Sequence, residues 1–365
     1  MINQLFHGLT KHIDSILMSG ILFTILVGLF VLYSAAGEDL GRINAQLINI
    51  TIALSVMWVV SHIQPQLMER IAPLLYIFGV TLLLGVALFG DISHGARRWL
   101  DIGVMKIQPS ELMRIAVPMM LAWFFSQRES TLRLLDFVIA FFILITPVLF
   151  ILKQPDLGTS LLVAASGCFV IFLAGLSWRI IIGSIVSVGG LIPVFWSMMH
   201  DYQRKRVQIL IDPTQDPLGA GYHILQSSIA QGSGGLTGKG WLNGTQSQLD
   251  FLPERTTDFI FAVFSEEFGI VGNLLLLLLF GLIIARGIYI ASQAKSTFSR
   301  LLAGSITMTF FIYIFVNISM VSGILPVVGV PLPLISYGGT SMVTILLGFG
   351  ILMSIHTHKN LVASG

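Results

Sequence analysis

The chain has 365 residues, of which 55% are hydrophobic and only 10% charged, and its mean hydropathy is +0.88. An average soluble domain carries roughly 25% charged residues, so a soluble fold is excluded and a polytopic membrane protein is indicated. The formal net charge of +2, with no run of five like charges, excludes nucleic acid as a partner.

Apolar runs long enough to cross the bilayer as helices recur at 16–36, 45–63, 71–90, 108–126, 135–152, 158–176, 179–199, 258–285, 301–322 and 340–357. The first imitates a signal peptide because Ser34, Ala35 and Ala36 follow it. It is longer than the 7–15 residues of such a core and reads as an uncleaved span. Runs such as LLLLLLF at 274–280 exclude the alternation of a membrane β-barrel. The expected fold is therefore an all-α polytopic membrane protein of about ten transmembrane helices. It forms a single domain over 1–365, with a large extracytoplasmic loop, about 200–257, between helices 7 and 8.

Ten spans put both termini on one side and the segments 91–107, 200–257 and 323–339 on the other. Lysine and arginine number nine on the terminus side and ten opposite, and leaving out the 58-residue loop gives nine against five. Short loops govern this bias, so both termini are expected in the cytoplasm and the long loop outside. Basic residues on the outer face then run against the usual bias and point to something anionic there.

The 91–107 segment places Arg97, Arg98, Trp99 and Lys106 near the mouths of spans three and four. Arginine forks suit phosphate oxygens and tryptophan suits the headgroup level, which together read as a lipid-phosphate site or as interfacial anchoring. The fourth span opens with Pro109, and Glu111 and Arg114 at i and i+3 fall on one helical face, close enough to pair. An ionisable pair at membrane depth is a functional candidate, although Ser110 capping with a neutralised Glu111 is the structural alternative.

Cys168 is the single cysteine, which excludes an intrachain disulfide and a cysteine metal site. The glycine-rich AQGSGGLTGKGW at 230–241 is not a phosphate-binding nucleotide loop. Ser233 stands where that motif needs glycine, and Gly240 follows Lys239 where it needs serine or threonine. It reads as a flexible loop able to approach a ligand's backbone. His200, His223, His356 and His358 form no metal spacing and are expected at solvent or interfaces.

In FLPERTTDF at 251–259, Thr256 or Thr257 is expected to cap the eighth span, with Asp258 in its first turn. The helix end favours an ionised carboxylate and the Phe259, Ile260 and Phe261 surroundings disfavour it. That suits a general base at the water–lipid boundary, while simple complementation of the helix dipole is the alternative. Glu266 and Glu267, over two turns further in, leave their role open, with a pair of structural carboxylates the favoured reading. The proline- and glycine-rich, uncharged 323–339 segment is expected packed against protein or re-entrant.

Taken together, GARRWLDIG, IQPSELMRIAVP, KQPDLGTSLL, the block from Asp216 to Gly269 and PLPLISYGGTS resemble the SEDS family of bacterial cell-wall polymerases nearly end to end. GTQSQLDFLPERTTDF resembles its elongation branch, since the division branch more often has a glutamate–alanine pair after leucine–proline. The resemblance implies a ten-helix fold and a peptidoglycan glycosyltransferase that polymerises lipid II outside the bacterial cytoplasmic (inner) membrane. It implies as partners a class B penicillin-binding protein of the elongation type and other elongation-complex membrane proteins.

By position, Asp258 matches the family's essential acid, and Glu111 and Arg114 match the charged face of its fourth helix. Many relatives have lysine where Arg114 stands, which keeps charge and alters geometry. Arg97, Arg98, Trp99, Lys106, Glu111, Arg114, Lys153, Asp156, Lys239 and Arg255 are the candidates for substrate or pyrophosphate. A divalent cation such as Mg, held mainly by pyrophosphate and one carboxylate, would leave no dedicated site in the sequence. A lipid II flippase and a non-catalytic scaffold for the penicillin-binding protein are the competing functions.

Overall fold

The computed structural model describes residues 12–358, apart from positions 90, 94–95, 102–105, 129–131, 192, 194–195, 198–200, 217–218, 250 and 253. Among the described residues, ten helices lie on the ten expected spans, the seventh covering only the first part of its span: α1 Ser15–Ala35, α2 Leu40–Ser61, α3 Pro65–Phe89, α4 Pro109–Ser126, α5 Leu134–Lys153, α6 Leu157–Leu173, α7 Trp178–Gly190, α11 Ile260–Ser292, α12 Thr297–Val321 and α13 Gly339–His358. Seven of them are at least 18 residues long and apolar enough to cross a membrane unaided. The other three are α4, which carries the Glu111–Arg114 pair, and the shorter α6 and α7.

Three short strands, β1 Asp91–Ser93, β2 Ala96–Asp101 and β3 Lys106–Ile107, form an antiparallel ribbon between α3 and α4. Trp99 pairs with Asp91 and Lys106 with Asp101. The long loop is more structured than expected, containing α8 Asp201–Ile211, a 3-10 turn at Pro213–Gln215, α9 Ala220–Ser233 and α10 Thr245–Gln248. Asp212 caps the 3-10 turn through Thr214, and these hydrogen bonds hold its carboxyl below the usual range.

α12 is the central helix: the most apolar part of it is 67% buried, against 22% for α2 and α3. It packs on α6, α4 and α11, while α13 packs on α2. The outer helices turn Leu, Ile and Phe side chains such as Phe23, Phe78 and Leu274 away from protein, as a chain with lipid for solvent requires. The 323–339 segment is packed against protein, with Leu332, Leu334 and Ile335 all buried.

At the opposite end of the bundle Asp14 caps α1 through the Leu17 amide and receives a two-pronged ion pair from Arg286 at 3.0 and 2.5 Å. Burial alone would raise the Asp14 carboxyl, but the hydrogen bonds and charge of Arg286 and the Leu17 amide hold it below its ordinary value. His356 meets the same carboxylate at 3.2 Å. His358 is buried and bonds the Ser354 carbonyl, so this histidine belongs to the core and not to solvent.

Candidate active site

Helix α11 begins at Ile260 with Phe259 as its N-cap and no side-chain cap bond. Asp258 therefore stands just outside the helix, and neither threonine caps it as the sequence suggested. Both are engaged elsewhere: Thr257 donates to Glu254, and Thr256 accepts from Arg42 Nη1 at 3.3 Å. The turn before the helix is tight enough to put Glu254 at φ 50°.

Three contacts from elsewhere in the chain fix this turn. Asn317 of α12, wholly buried, donates to the Asp258 carbonyl at 2.8 Å and to the Val330 carbonyl at 2.7 Å. Ser336 donates to the Thr257 carbonyl, and the Tyr337 amide to the Thr256 carbonyl. The 323–339 segment thus forms one wall of the site, with Gly329 against Asp258. A Cβ added at Gly329 would lie 3.4 Å from Asp258 Oδ2.

Asp258 is half-buried and makes no ion pair among the described residues. Burial, with the Glu254 carboxylate adding to it, pushes its carboxyl up to about 6. A carboxylate placed for stability would be met by a cation or by several N–H donors. Here the charged neighbour is another acid. His223 of α9 stacks on Phe259 with ring centroids 5.5 Å apart, and burial holds its imidazole below the usual value against the opposing pull of Glu254 and Asp216. It belongs to this wall, not to bulk solvent.

A second charged centre lies deeper. Arg114 donates to Glu111 at 2.7 Å and to Thr159 at 3.2 Å, and its guanidinium sits 5.2 Å from the centre of the Tyr313 ring. Thr344 of α13 also donates to Glu111. Asp156 caps α6 through the Thr159 amide and accepts from Gln108. The pairing expected of Glu111 and Arg114 is present, and Asp156 joins the same network. Buried Arg114 Nε and the hydroxyls of Ser110 and Tyr313 have no hydrogen-bond partner among the described residues. A cleft of about 40 Å³ opens beside Arg114 and Tyr313, lined also by Pro118, Thr344 and Phe349 among others.

The two centres are separated by the Val328–Val330 stretch. Gly158, in the first turn of α6, presses on it so closely that a Cβ would come 2.5 Å from the Val328 carbonyl oxygen. On its other side lies Asp258. Of the remaining candidates, Lys153 closes α5, and Lys239 is ion-paired with Glu266 at 2.8 Å. Arg255 Nη1 donates to the Ser247 carbonyl. Arg97, Arg98 and Trp99 lie on β2 and Lys106 on β3, with side chains outside the described part of the structure.

Sequence reasoning passed over Arg42, Asn317 and Tyr313. A buried asparagine within an otherwise apolar span was the available signal for Asn317, because an uncharged amide in lipid needs a partner. Nothing local marks Arg42, which reaches the site only through the fold.

The family profile of FtsW/RodA/SpoVE cell cycle proteins matches residues 14–361. The chain is 53% identical over 353 residues to the peptidoglycan glycosyltransferase MrdB of Escherichia coli K12, covering 96% of this chain and 95% of that one. It is 33% identical over 360 residues to the stage V sporulation protein E of Bacillus subtilis, covering 95% and 97%. Among solved structures it is similar to a chain of a peptidoglycan synthase complex that coordinates polymerization and crosslinking, with TM-score 0.83, 29% identity and coverage of 95% and 98%. It is also similar to the rod shape determining protein RodA of Thermus thermophilus, with TM-score 0.72, 27% identity and coverage of 95% and 97%.

Proposed function

The chain belongs to the FtsW/RodA/SpoVE family of cell cycle proteins, and from that premise we propose that it is a peptidoglycan glycosyltransferase of the elongation type in which Asp258 is the general base. The observation that carries the base assignment is the environment of Asp258: half-buried at the mouth of the bundle, in no ion pair among the described residues, beside a second acid, and with its carboxyl pushed up to about 6 by burial. Such a group is ionised at neutral pH and remains basic enough to take a proton.

In this reading lipid II is the substrate and the termini are cytoplasmic, so that the Asp258 mouth faces outward. The sugar 4-hydroxyl of one lipid II attacks the anomeric carbon of another chain-bearing sugar. The C–O bond to undecaprenyl pyrophosphate breaks with inversion, and Asp258 accepts the hydroxyl proton. Pyrophosphate leaves without needing a proton, so the site requires positive charge near it more than a second carboxylic acid.

Arg42, hydrogen-bonded to Thr256 two residues from Asp258, is a cation that the fold brings to this turn from a distant part of the chain. Arg97, Arg98, Lys106, Arg114 and Arg255 remain candidates for phosphate contacts. A divalent cation held mainly by the pyrophosphate and one carboxylate would supply Lewis-acid stabilisation of the leaving group. A class B penicillin-binding protein is the proposed partner, cross-linking the strands this chain makes.

The test is glycan formation from purified lipid II, comparing wild type with Asp258→Asn at matched expression and thermal stability, partner present. A folded, partner-bound variant that makes no glycan supports the base. Normal polymerisation by the variant would return Asp258 to a structural role. A parallel flipping assay in vesicles of known orientation separates polymerisation from transport.

A further inference from the structure

Helix α11 is broken. Gly269, at φ 63° and ψ −162°, lies outside helical geometry, in a region open in practice only to glycine. A break of this kind leaves carbonyls before it and amides after it without their helical partners. The 234–240 loop supplies both. Lys239 and Gly240 amides donate to the Glu266 and Glu267 carbonyls at 3.0 Å each. Ile270 and Val271 amides donate to the Gly235 and Leu236 carbonyls, also at 3.0 Å. The glycine-rich loop thus approaches the protein's own helix.

Lys239, the residues that follow it up to Gln246, and Ser34 bind the two acids at the break. Glu266, wholly buried, accepts from Lys239 Nζ at 2.8 Å, Thr245 Oγ1 at 3.0 Å and the Gln246 amide at 3.1 Å. Glu267 accepts from the Ser34 hydroxyl of α1 and the Leu242 amide. A carboxylate buried at the C-terminal end of a helical segment is opposed by both desolvation and the helix dipole. A buried ion pair stabilises a fold little better than apolar packing would, and sometimes worse. What it does provide here is register: with the acid satisfied from the 233–246 stretch, the segment cannot slide along it.

That segment, Ile260–Phe268, is about 13 Å long at 1.5 Å per residue and is almost wholly buried. Asp258 stands at its far end, held by Asn317. We propose that Lys239 and Glu266 are positioning residues for the chemistry at Asp258, fastening the loop into the break so that the short rod leading to Asp258 has one axial position. The proposal rests on the reading of Asp258 as the base.

The experiment uses the purified full chain with its partner, comparing wild type, Lys239→Met, Glu266→Gln and Lys239→Arg. Hydrogen exchange of the 255–268 backbone is expected to rise at least tenfold in Lys239→Met and Glu266→Gln, with 276–290 unchanged. Turnover of lipid II is expected to fall at least tenfold with KM changed less than threefold. The acid limb of the pH profile is expected to move below about 6 as water reaches Asp258. Lys239→Arg, which keeps the charge, should restore turnover to within threefold.

Unchanged exchange, or unchanged turnover in spite of faster exchange, overturns the proposal. So does a loss of activity that follows the folded fraction with the acid limb unmoved. The exchange readout does not depend on what Asp258 does, so failure of the anchor is seen separately from failure of the base. Polymerisation by Asp258→Asn together with an inert Lys239→Met would overturn the proposal as stated, because the rod would then position some other group.

Discussion

Tyr313 and Asn317 lie one turn apart on the same face of α12 and join the two charged centres of the molecule. The Tyr313 ring receives the Arg114 guanidinium at 5.2 Å, and the Asn317 amide holds the carbonyls of Asp258 and Val330. A central helix that touches both centres sets their separation. The cleft beside Arg114 and the Asp258 turn are therefore connected through one turn of backbone, without any intervening loop.

Asn317→Ala would leave two carbonyls without their donor. Each loses a buried hydrogen bond worth about 1–3 kcal/mol, so a stability loss of about 2 kcal/mol or more is expected in thermal unfolding. Turnover should fall more than tenfold at temperatures where the variant is still folded, because the Asp258 turn loses its tie to α12. Full activity in a destabilised protein would show that Ser336 and Tyr337 suffice to hold the turn.

Arg114→Ala leaves the largely buried Glu111 with the Thr344 hydroxyl but without its ion-pair partner, and breaking a buried pair from one side costs about 3–5 kcal/mol. Arg114→Lys keeps the charge for Glu111 but gives up the fork that also reaches Thr159, at a cost of about 1 kcal/mol. The double variant Arg114→Ala with Glu111→Gln should recover part of the loss, since no uncompensated charge remains. Thermal unfolding of the four proteins checks this. An Arg114→Ala loss under 1 kcal/mol would mean that the pair is not desolvated.

The pH dependence follows from the raised value of Asp258. A base must be ionised, so turnover should decline as pH falls through about 6, well above the ordinary carboxylate range. Glu254→Gln removes the like charge that helps raise it, and the acid limb should then shift to lower pH. Burial, the larger cause, remains, so the shift is expected to be partial. A limb that stays in place in Glu254→Gln would assign the entire effect to desolvation.

The spans were legible because a 30 Å apolar slab imposes length and composition on every crossing segment. The Glu111–Arg114 pair was legible because i, i+3 spacing needs only a helix. Asp258 was readable as a chemical group but not in its setting. Its neighbours Asn317, Gly329 and Arg42 come from distant parts of the chain, and the helix start was misplaced by two residues because threonines resemble caps wherever they occur. The loop in the break of α11 was invisible for a related reason. AQGSGGLTGKGW has the composition of a mobile loop, and only the fold reveals that its glycines are needed where two backbones touch.

Gly238 is the sharpest place to test that contact. A Cβ there would come 2.0 Å from the Glu267 carbonyl oxygen, and the residue sits at φ +81°. Gly238→Ala therefore meets two penalties at once. The left-handed conformation costs an L-residue about 1–2 kcal/mol, and pushing the loop out of the break also forfeits hydrogen bonds worth about 1 kcal/mol each. A loss of about 3 kcal/mol or more is expected in thermal unfolding, with faster exchange at Ile270 and Val271. Gly189→Ala in α7 is the control, since nothing lies within 4 Å of its added Cβ. Alanine's better helix propensity should there leave stability unchanged or raise it by up to about 1 kcal/mol. If Gly238→Ala proves as mild as Gly189→Ala, the loop is not seated in the helix break, and the register argument for Lys239 and Glu266 falls with it.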